Sequence, residues 1–460
     1  MKTMILKNSA FFLAAATIIS SCAALGHYKH VETVPEDLYG DAVLTDASTS
    51  LGDTQWQVLF SDPLLRNLID SALVNNFDLK IAQERIEQAE AELMASRLAY
   101  IPTLAVNPTI SASFPEGGGK LYSYNLAATS TWQMSFARLG NNVRLAAAGK
   151  EVAKDYSDAV RSRLIASVAN MYYTLLMLDA EIATTTDMER SWAASVETAK
   201  ALKEAGMADQ VAVLQYEATL SKTSATLIEL KDQLHKAENS MCLLLGSHSG
   251  TVIPRNNLAS QETPEEIEPG IPVQMLVKRP DVRSAEHELE AAFYATRGAI
   301  LNFFPTLSIN GTIGLINPAN GQMSPMSLLG NVGAGLAAPI LNAGTNKAAL
   351  RYAQSRQRET RLNFDKVLIS AGNEVNDALT EYHNCARMEN YYLASARDLD
   401  KAREDTEYLM KNSLDKSYLD VLFANNFFFE AELAAIANRT KKLQALVTLY
   451  SALGGGCTNQ

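Results

Sequence analysis

The chain has little of what catalysis usually needs. Its six histidines, His27, His30, His235, His248, His287 and His383, are scattered, and no His-Glu-x-x-His run sets two of them on one helix face. No Gly-x-Ser-x-Gly elbow and no phosphate-binding glycine loop is present. These absences weigh against an enzyme, and no cofactor or metal site is expected. Cysteine is sparse: Cys22, Cys242, Cys385 and Cys457 are far apart, with no Cys-x-x-Cys pair. That spacing fits neither a disulfide framework nor a zinc site. Cys242 and Cys385 lie in helical contexts and read as small buried hydrophobes. A surplus of positive charge is also missing. The formal net charge is -11, which argues against nucleic acid as a partner. After Cys22 no run reaches about 18 consecutive apolar residues, so no transmembrane helix is expected.

What is present begins with an export signal. Lys2 and Lys7 precede an apolar stretch from Ser9 to Ile19, the charged and hydrophobic regions of a secretory leader. It ends in Ile19-Ser20-Ser21-Cys22, which resembles a bacterial lipobox. The expected mature chain starts at Cys22 and carries acyl chains that hold it durably on a membrane.

Proline is absent from two long stretches, 142–205 and 346–411, and both read as helix. Residues 62–100 carry apolar residues at helical spacing, from Leu64 and Leu65 to Leu93, behind an Asp62-Pro63 start. Residues 142–205 hold no proline and one glycine before the end, Gly149. At ~1.5 Å per residue such a helix is roughly 95 Å long, more than a globular domain can bury. Gly206-Met207-Ala208-Asp209 breaks the run, and Val211–Leu245 is helical again. The second half repeats the plan with helices over 281–301, 346–411 and 418–449 and a turn at Asn412-Ser413-Leu414-Asp415.

The repeat extends to strands. Pro102-Thr103-Leu104 and Pro305-Thr306-Leu307 each open an alternating run. Leu104, Val106, Ile110 and Ala112 oppose Thr103, Asn107, Thr109 and Ser111, while Leu307, Ile309, Ile313 and Leu315 oppose Thr306, Ser308, Asn310 and Thr312. Period two predicts strands over about 101–113 and 305–316, with partners over about 121–136 and 328–340. Four strands alone make a poor sheet, and several chains could pool theirs into a closed barrel. An apolar outside and a small polar lumen is the alternation of a transmembrane barrel, though a soluble sheet packed on helices has the same period.

Several segments together resemble the TolC superfamily of outer-membrane efflux proteins, in particular its lipoprotein branch. They are Trp56 to Leu64, leading into Ala72 to Leu79; Arg279-Pro280-Asp281-Val282-Arg283-Ser284-Ala285-Glu286; both strand-opening prolines; and Ala338-Pro339-Ile340-Leu341-Asn342-Ala343-Gly344, which leads into the second long helix. Trp132 to Gly140 is the counterpart of that last segment in the first repeat. The resemblance implies a mainly α fold with a β-barrel portion. A homotrimer closes one twelve-stranded barrel, four strands per chain, continued by a helical tunnel in the periplasm of a Gram-negative cell.

The implied function is passive conduction of small toxic molecules from a periplasmic membrane-fusion adaptor and an inner-membrane RND-type pump. Alternatives are a type I secretion conduit fed by an ABC exporter, and a non-conducting coiled-coil lipoprotein. Implied adaptor contacts are Gly206, Met207, Ala208, Asn412, Ser413 and Leu414. Candidate constriction residues are Asp209, Asp415 and Asp420, which double as ordinary helix-start acids, with Asp415 also fitting an N-cap and Leu414 a hydrophobic staple. Pro102, Pro305, Pro339 and Gly344 mark helix–strand junctions. The expected division is a signal at 1–21, a lipidated and equatorial segment at 22–61, a first repeat at 62–246, a linker at 247–279, a second repeat at 280–450 and a tail at 451–460. The Arg279-Pro280-Asp281 run is given an assembly role, with Pro280 opening a helix and Arg279 pairing with a neighbouring one.

Overall fold

Each half of the chain lays down the same order of elements: helix, two strands, a long helix and a return helix. The computed structural model describes residues 26–31, 38, 51–114, 116–117, 120–264, 278–316, 327–412 and 417–457. Helices α1 (Pro63–Asn75) and α2 (Phe77–Leu98) lead to strands β1 (Thr103–Ser113) and β2 (Leu121–Met134), then to α3 (Phe136–Glu204) and α4 (Gln210–Leu244). The second half holds α5 (Pro280–Leu301), β3 (Thr306–Ile316), β4 (Ser327–Ala337), α6 (Thr345–Asn412) and α7 (Tyr418–Ala452). The long helices run 69 residues in α3 and 68 in α6.

The single helix expected over 62–100 is two helices. Asn76 is extended (φ -58°, ψ 133°), its Oδ1 accepts from the Leu79 N–H, and its Nδ2 donates to the Leu244 carbonyl. A side chain that caps the next helix and bonds a distant one stops propagation without any proline. The start does follow the reading: Asp62 caps α1 by accepting from the Leu64 N–H, with proline in the first turn.

Three helices stop by one device. At the end of α3, the Met207 N–H bonds the Leu202 carbonyl and the Gly206 N–H bonds that of Lys203, with Gly206 at φ 74°. Gly246 after α4 and Gly454 after α7 repeat the pattern. This is the Schellman arrangement, which needs a left-handed residue just past the helix.

The four strands form an antiparallel sheet in the order β1-β2-β3-β4. The β2–β3 pairing joins the two halves of the chain, with Ala127 opposite Gly314. A Cβ on Gly314 would lie 2.7 Å from the Ala127 Cα, so a side chain there cannot fit. Pro102 and Pro305 stand immediately before β1 and β3. β4 ends at Ala337, short of the 340 expected, and Pro339 lies outside it. The two strand-to-helix passages also differ. Only Ser135 separates β2 from α3, whereas 338–344 separates β4 from α6 and holds Ala343 at φ 52° and Gly344 at φ 79°.

The chain divides into two units. One comprises the sheet with Glu84–Lys154 and Ser284–Lys366 and the described part of the N-terminal segment to Val31. The other comprises Glu32–Gln83, Asp155–Arg283 and Val367–Gln460. The main core is in the second unit, where Phe60, Leu65, Ile69, Ile165, Tyr172, Met241, Leu443, Val447 and Tyr450 pack together. Cys242 and Cys385 are buried free thiols, as is Cys457.

Candidate functional site

The sheet has an apolar face that no described residue covers. Leu104, Val106 and Ile110 of β1 are 74%, 62% and 74% exposed. Tyr122, Tyr124 and Leu126 of β2, Ile313 and Leu315 of β3, and Leu328, Val332 and Leu336 of β4 are exposed as well. A soluble sheet packed on helices would cover these side chains. The other face of β1 and β2 is polar and bonded across the strands. Asn107 donates to Thr129 Oγ1 at 3.1 Å, and the Ser111 and Ser123 hydroxyls share a hydrogen bond at 2.6 Å. Among the described residues neither β1 nor β4 has a second strand neighbour. Among the described residues no helix is long and apolar enough to cross a membrane.

The turn between α3 and α4 carries Gly206, Met207, Ala208 and Asp209. Met207 is exposed at the surface. Asp209 caps α4 by accepting from the Ala212 N–H at 2.9 Å. At the other turn, Asn412 ends α6 and donates to the Tyr408 carbonyl. Ser413, Leu414 and Asp415 lie outside the described residues, as do Cys22 and the whole export signal. The N-cap of α7 is Ser417 and not Asp415. Ser417 takes the role because Asp420 stands three residues on and completes a capping box: the Ser417 N–H donates to Asp420 Oδ2 at 2.8 Å, and the Asp420 N–H to Ser417 Oγ. Both described acids therefore have a local structural task.

Below these turns the two hairpins meet. Trp192, Tyr216, Leu422 and Phe429 are buried together, and the Tyr216 hydroxyl donates to the Tyr418 carbonyl at 2.9 Å. Arg403 lies 4.9 Å from the centre of the Phe428 ring.

Arg279 is where the second unit is tied. The buried guanidinium donates to Asp281, to Glu374 of α6 and to the Ala452 carbonyl of α7. Arg283 adds Asp155 and Asp158 of α3. Burial disfavours the charge on Asp281, but the hydrogen bonds and charge of Arg279 outweigh it and hold the carboxyl below its usual range. The expected pairing with a neighbouring helix is thus to two helices.

A second buried hub had only a faint signal. Asp62 is also the acceptor for Tyr172 Oη (2.6 Å), Asn256 Nδ2 (2.9 Å) and Gln261 Nε2 (2.9 Å). Burial again raises its pKa, yet the bonds from Tyr172, Gln261, the Leu64 N–H and Asn256 lower it on balance. The Asp-Pro pair marks the cap, but its distant partners carry no local mark. Also unforeseen is Glu286, which accepts from the Val31 N–H at 2.8 Å and contacts His30 Nδ1. Among the described residues no group of three or more His, Cys, Asp or Glu is placed to hold a metal ion.

Comparison with known proteins adds four findings. Residues 68–247 and 271–455 match the family model described as outer membrane efflux protein. The toluene efflux pump outer membrane protein TtgC of Pseudomonas putida is 27% identical over 432 residues, 90% of this chain and 87% of that one. The probable outer membrane lipoprotein SilC of Salmonella typhimurium is 25% identical over 456 residues, 95% of this chain and 96% of its own. The open state of the Neisseria gonorrhoeae MtrE outer membrane channel superposes with a TM-score of 0.83 at 25% identity, over 94% of this chain and 98% of that one.

Proposed function

Because this chain belongs to the outer membrane efflux protein family, we propose that three copies close one twelve-stranded barrel, from which the long helices continue as a periplasmic tunnel. The chain is the outer-membrane channel component of a tripartite efflux system, a conduit and not an enzyme. One observation carries the trimer: a four-stranded sheet that, among the described residues, has an uncovered apolar face and two unpaired edges, β1 and β4. Such edges are stable only when paired, and cyclic pairing of β1 with β4 of the next copy removes them all.

The lipoprotein assignment rests on the Ile-Ser-Ser-Cys run at Cys22 and on the likeness to SilC. A periplasmic adaptor would meet the turns at Gly206, Met207 and Ala208 and at Asn412, Ser413 and Leu414. An RND-type pump would supply the energy and most of the choice among drugs and other toxic small molecules. Opening would move one hairpin against the other. Asp209, Asp415 and Asp420 would ring the narrow end, where threefold symmetry repeats each carboxylate.

Planar bilayer recording tests this reading. Purified protein should migrate as a trimer and conduct. A monomer, or a trimer without conductance even after the turn acids are neutralised, would overturn it.

A further inference from the structure

We propose that the exposed face at the start of α6 docks the anionic phospholipid headgroups of the inner leaflet of the outer membrane. The inference rests on the barrel reading, which puts β4 in the bilayer and α6 just beyond it.

The segment 338–344 joins the two elements, and its Ile340 and Leu341 are 96% and 92% exposed. Among the described residues no side chain covers them, directly after a strand whose apolar residues are uncovered as well. From Thr345 to Arg358 every charged residue is basic: Lys347, Arg351, Arg356 and Arg358, with Glu359 the first acid. At about 100° per residue, Lys347, Arg351 and Arg358 fall within about 40° of one another on the helix. All three are exposed. The packed face of α6 is a different one, where Thr360 and Phe364 are buried. There the Thr296 hydroxyl bonds the Ala353 carbonyl and Asn346 bonds that of Asn302.

Two neighbouring cations are committed within the helix. Arg356 pairs with Glu359, and Arg361 with Asp365. Among the described residues, Lys347, Arg351 and Arg358 have no ion pair or side-chain hydrogen bond. The equivalent start of α3 differs. Its Arg138 donates to the Leu301 carbonyl, and its Arg144 contacts His27 and lies over the Tyr294 ring. The cationic stripe is thus particular to the second repeat.

Two exposed apolar side chains followed by an unpaired cationic stripe form an interfacial anchor. Ile340 and Leu341 enter the boundary of acyl chains and headgroups. The guanidinium groups take phosphate oxygens in pairs, and the ammonium group adds a point charge. The positive end of the α6 dipole has the same sign.

Lipid selectivity tests the proposal. The protein is reconstituted in phosphatidylcholine, with spin-labelled phosphatidylglycerol or phosphatidylcholine as the probe. Wild type should immobilise phosphatidylglycerol in preference, and added salt should weaken that preference. Each of K347Q, R351Q and R358Q should reduce it, by up to about fivefold per cation. The R351K/R358K variant, which keeps the charges, should retain most of it. An unchanged preference in the K347Q/R351Q/R358Q variant would overturn the docking surface. Loss of the trimer in that variant, with the singles unaffected in preference, would overturn it in favour of a second copy covering the stripe. Conductance is recorded in parallel. A conducting triple variant with wild-type preference rejects only this inference, whereas wild-type protein without conductance rejects the barrel reading beneath it.

Discussion

Gly206 and Gly246 end helices by the same hydrogen bonds, yet a methyl group would cost them different amounts. Both are left-handed, at φ 74° and 63°, so Gly206→Ala and Gly246→Ala each incur about 1–2 kcal/mol. A Cβ on Gly206 meets nothing within 4 Å, whereas one on Gly246 lies 2.6 Å from the Asn75 carbonyl oxygen. Gly246→Ala should therefore lose roughly a further 1–3 kcal/mol through overpacking. Thermal denaturation of both variants in detergent compares them directly, and equal losses would contradict the close approach. Asp62 makes the second argument at this scale. Asn in its place keeps one oxygen for the cap but turns the other into a donor facing Tyr172 and Gln261. Asp62→Asn should cost about 1–3 kcal/mol at neutral pH. The sign with pH follows from the depressed carboxyl. Its stabilisation is complete above the unfolded pKa of about 3.9 and is lost as pH falls through the lower folded value. The gap between wild type and Asp62→Asn should stay constant from neutral pH to about pH 5 and narrow only in stronger acid.

At the scale of the element, Asp209 has two candidate tasks, and they separate cleanly. As the N-cap of α4 it offers an oxygen to the Ala212 N–H, a task asparagine performs equally well. As part of a constriction it offers charge, which asparagine does not. Asp209→Ala should destabilise by about 1 kcal/mol, and Asp209→Asn should not. If the carboxylate lines the narrow end, Asp209→Asn alone should change single-channel conductance or cation selectivity. Wild-type conductance in that variant would reduce Asp209 to its cap. The same division shows why some elements were legible in the sequence and others were not. Strands alternate, long helices lack proline, and glycine closes three helices, so these elements announce themselves locally. The break at Asn76 does not, because the bond that fixes it reaches the carbonyl of Leu244, 168 residues away. Asp415 also fits a cap in the sequence, but the cap of α7 is Ser417, whose box with Asp420 Asp415 merely precedes. The Asp62 hub gathers Tyr172, Asn256 and Gln261, none of which is special until the fold assembles them.

At the scale of the whole molecule, a conduit must be stable closed and yet openable. Besides the main core, where α3 and α7 pack together, the two hairpins meet near the turns in an aromatic cluster, and among the described residues that cluster includes the bond from the Tyr216 hydroxyl. Trp192 and Phe429 are packed tightly enough that truncating either would leave a cavity and damage both states. The Tyr216 hydroxyl is different: it donates to the Tyr418 carbonyl at the first residue of α7, and its ring stays in place when the oxygen is removed. Movement of one hairpin against the other must break this bond. Tyr216→Phe keeps the packing and removes about 0.5–1.5 kcal/mol from the arrangement that holds this bond. That shifts a two-state equilibrium away from this arrangement by about two- to tenfold. Planar bilayer recordings should show this as a changed open probability with unchanged unitary conductance, since the pore itself is not altered. A changed unitary conductance would place Tyr216 on the conducting path. An unchanged open probability would mean that opening leaves the Tyr216–Tyr418 contact intact, and that the hairpins move together.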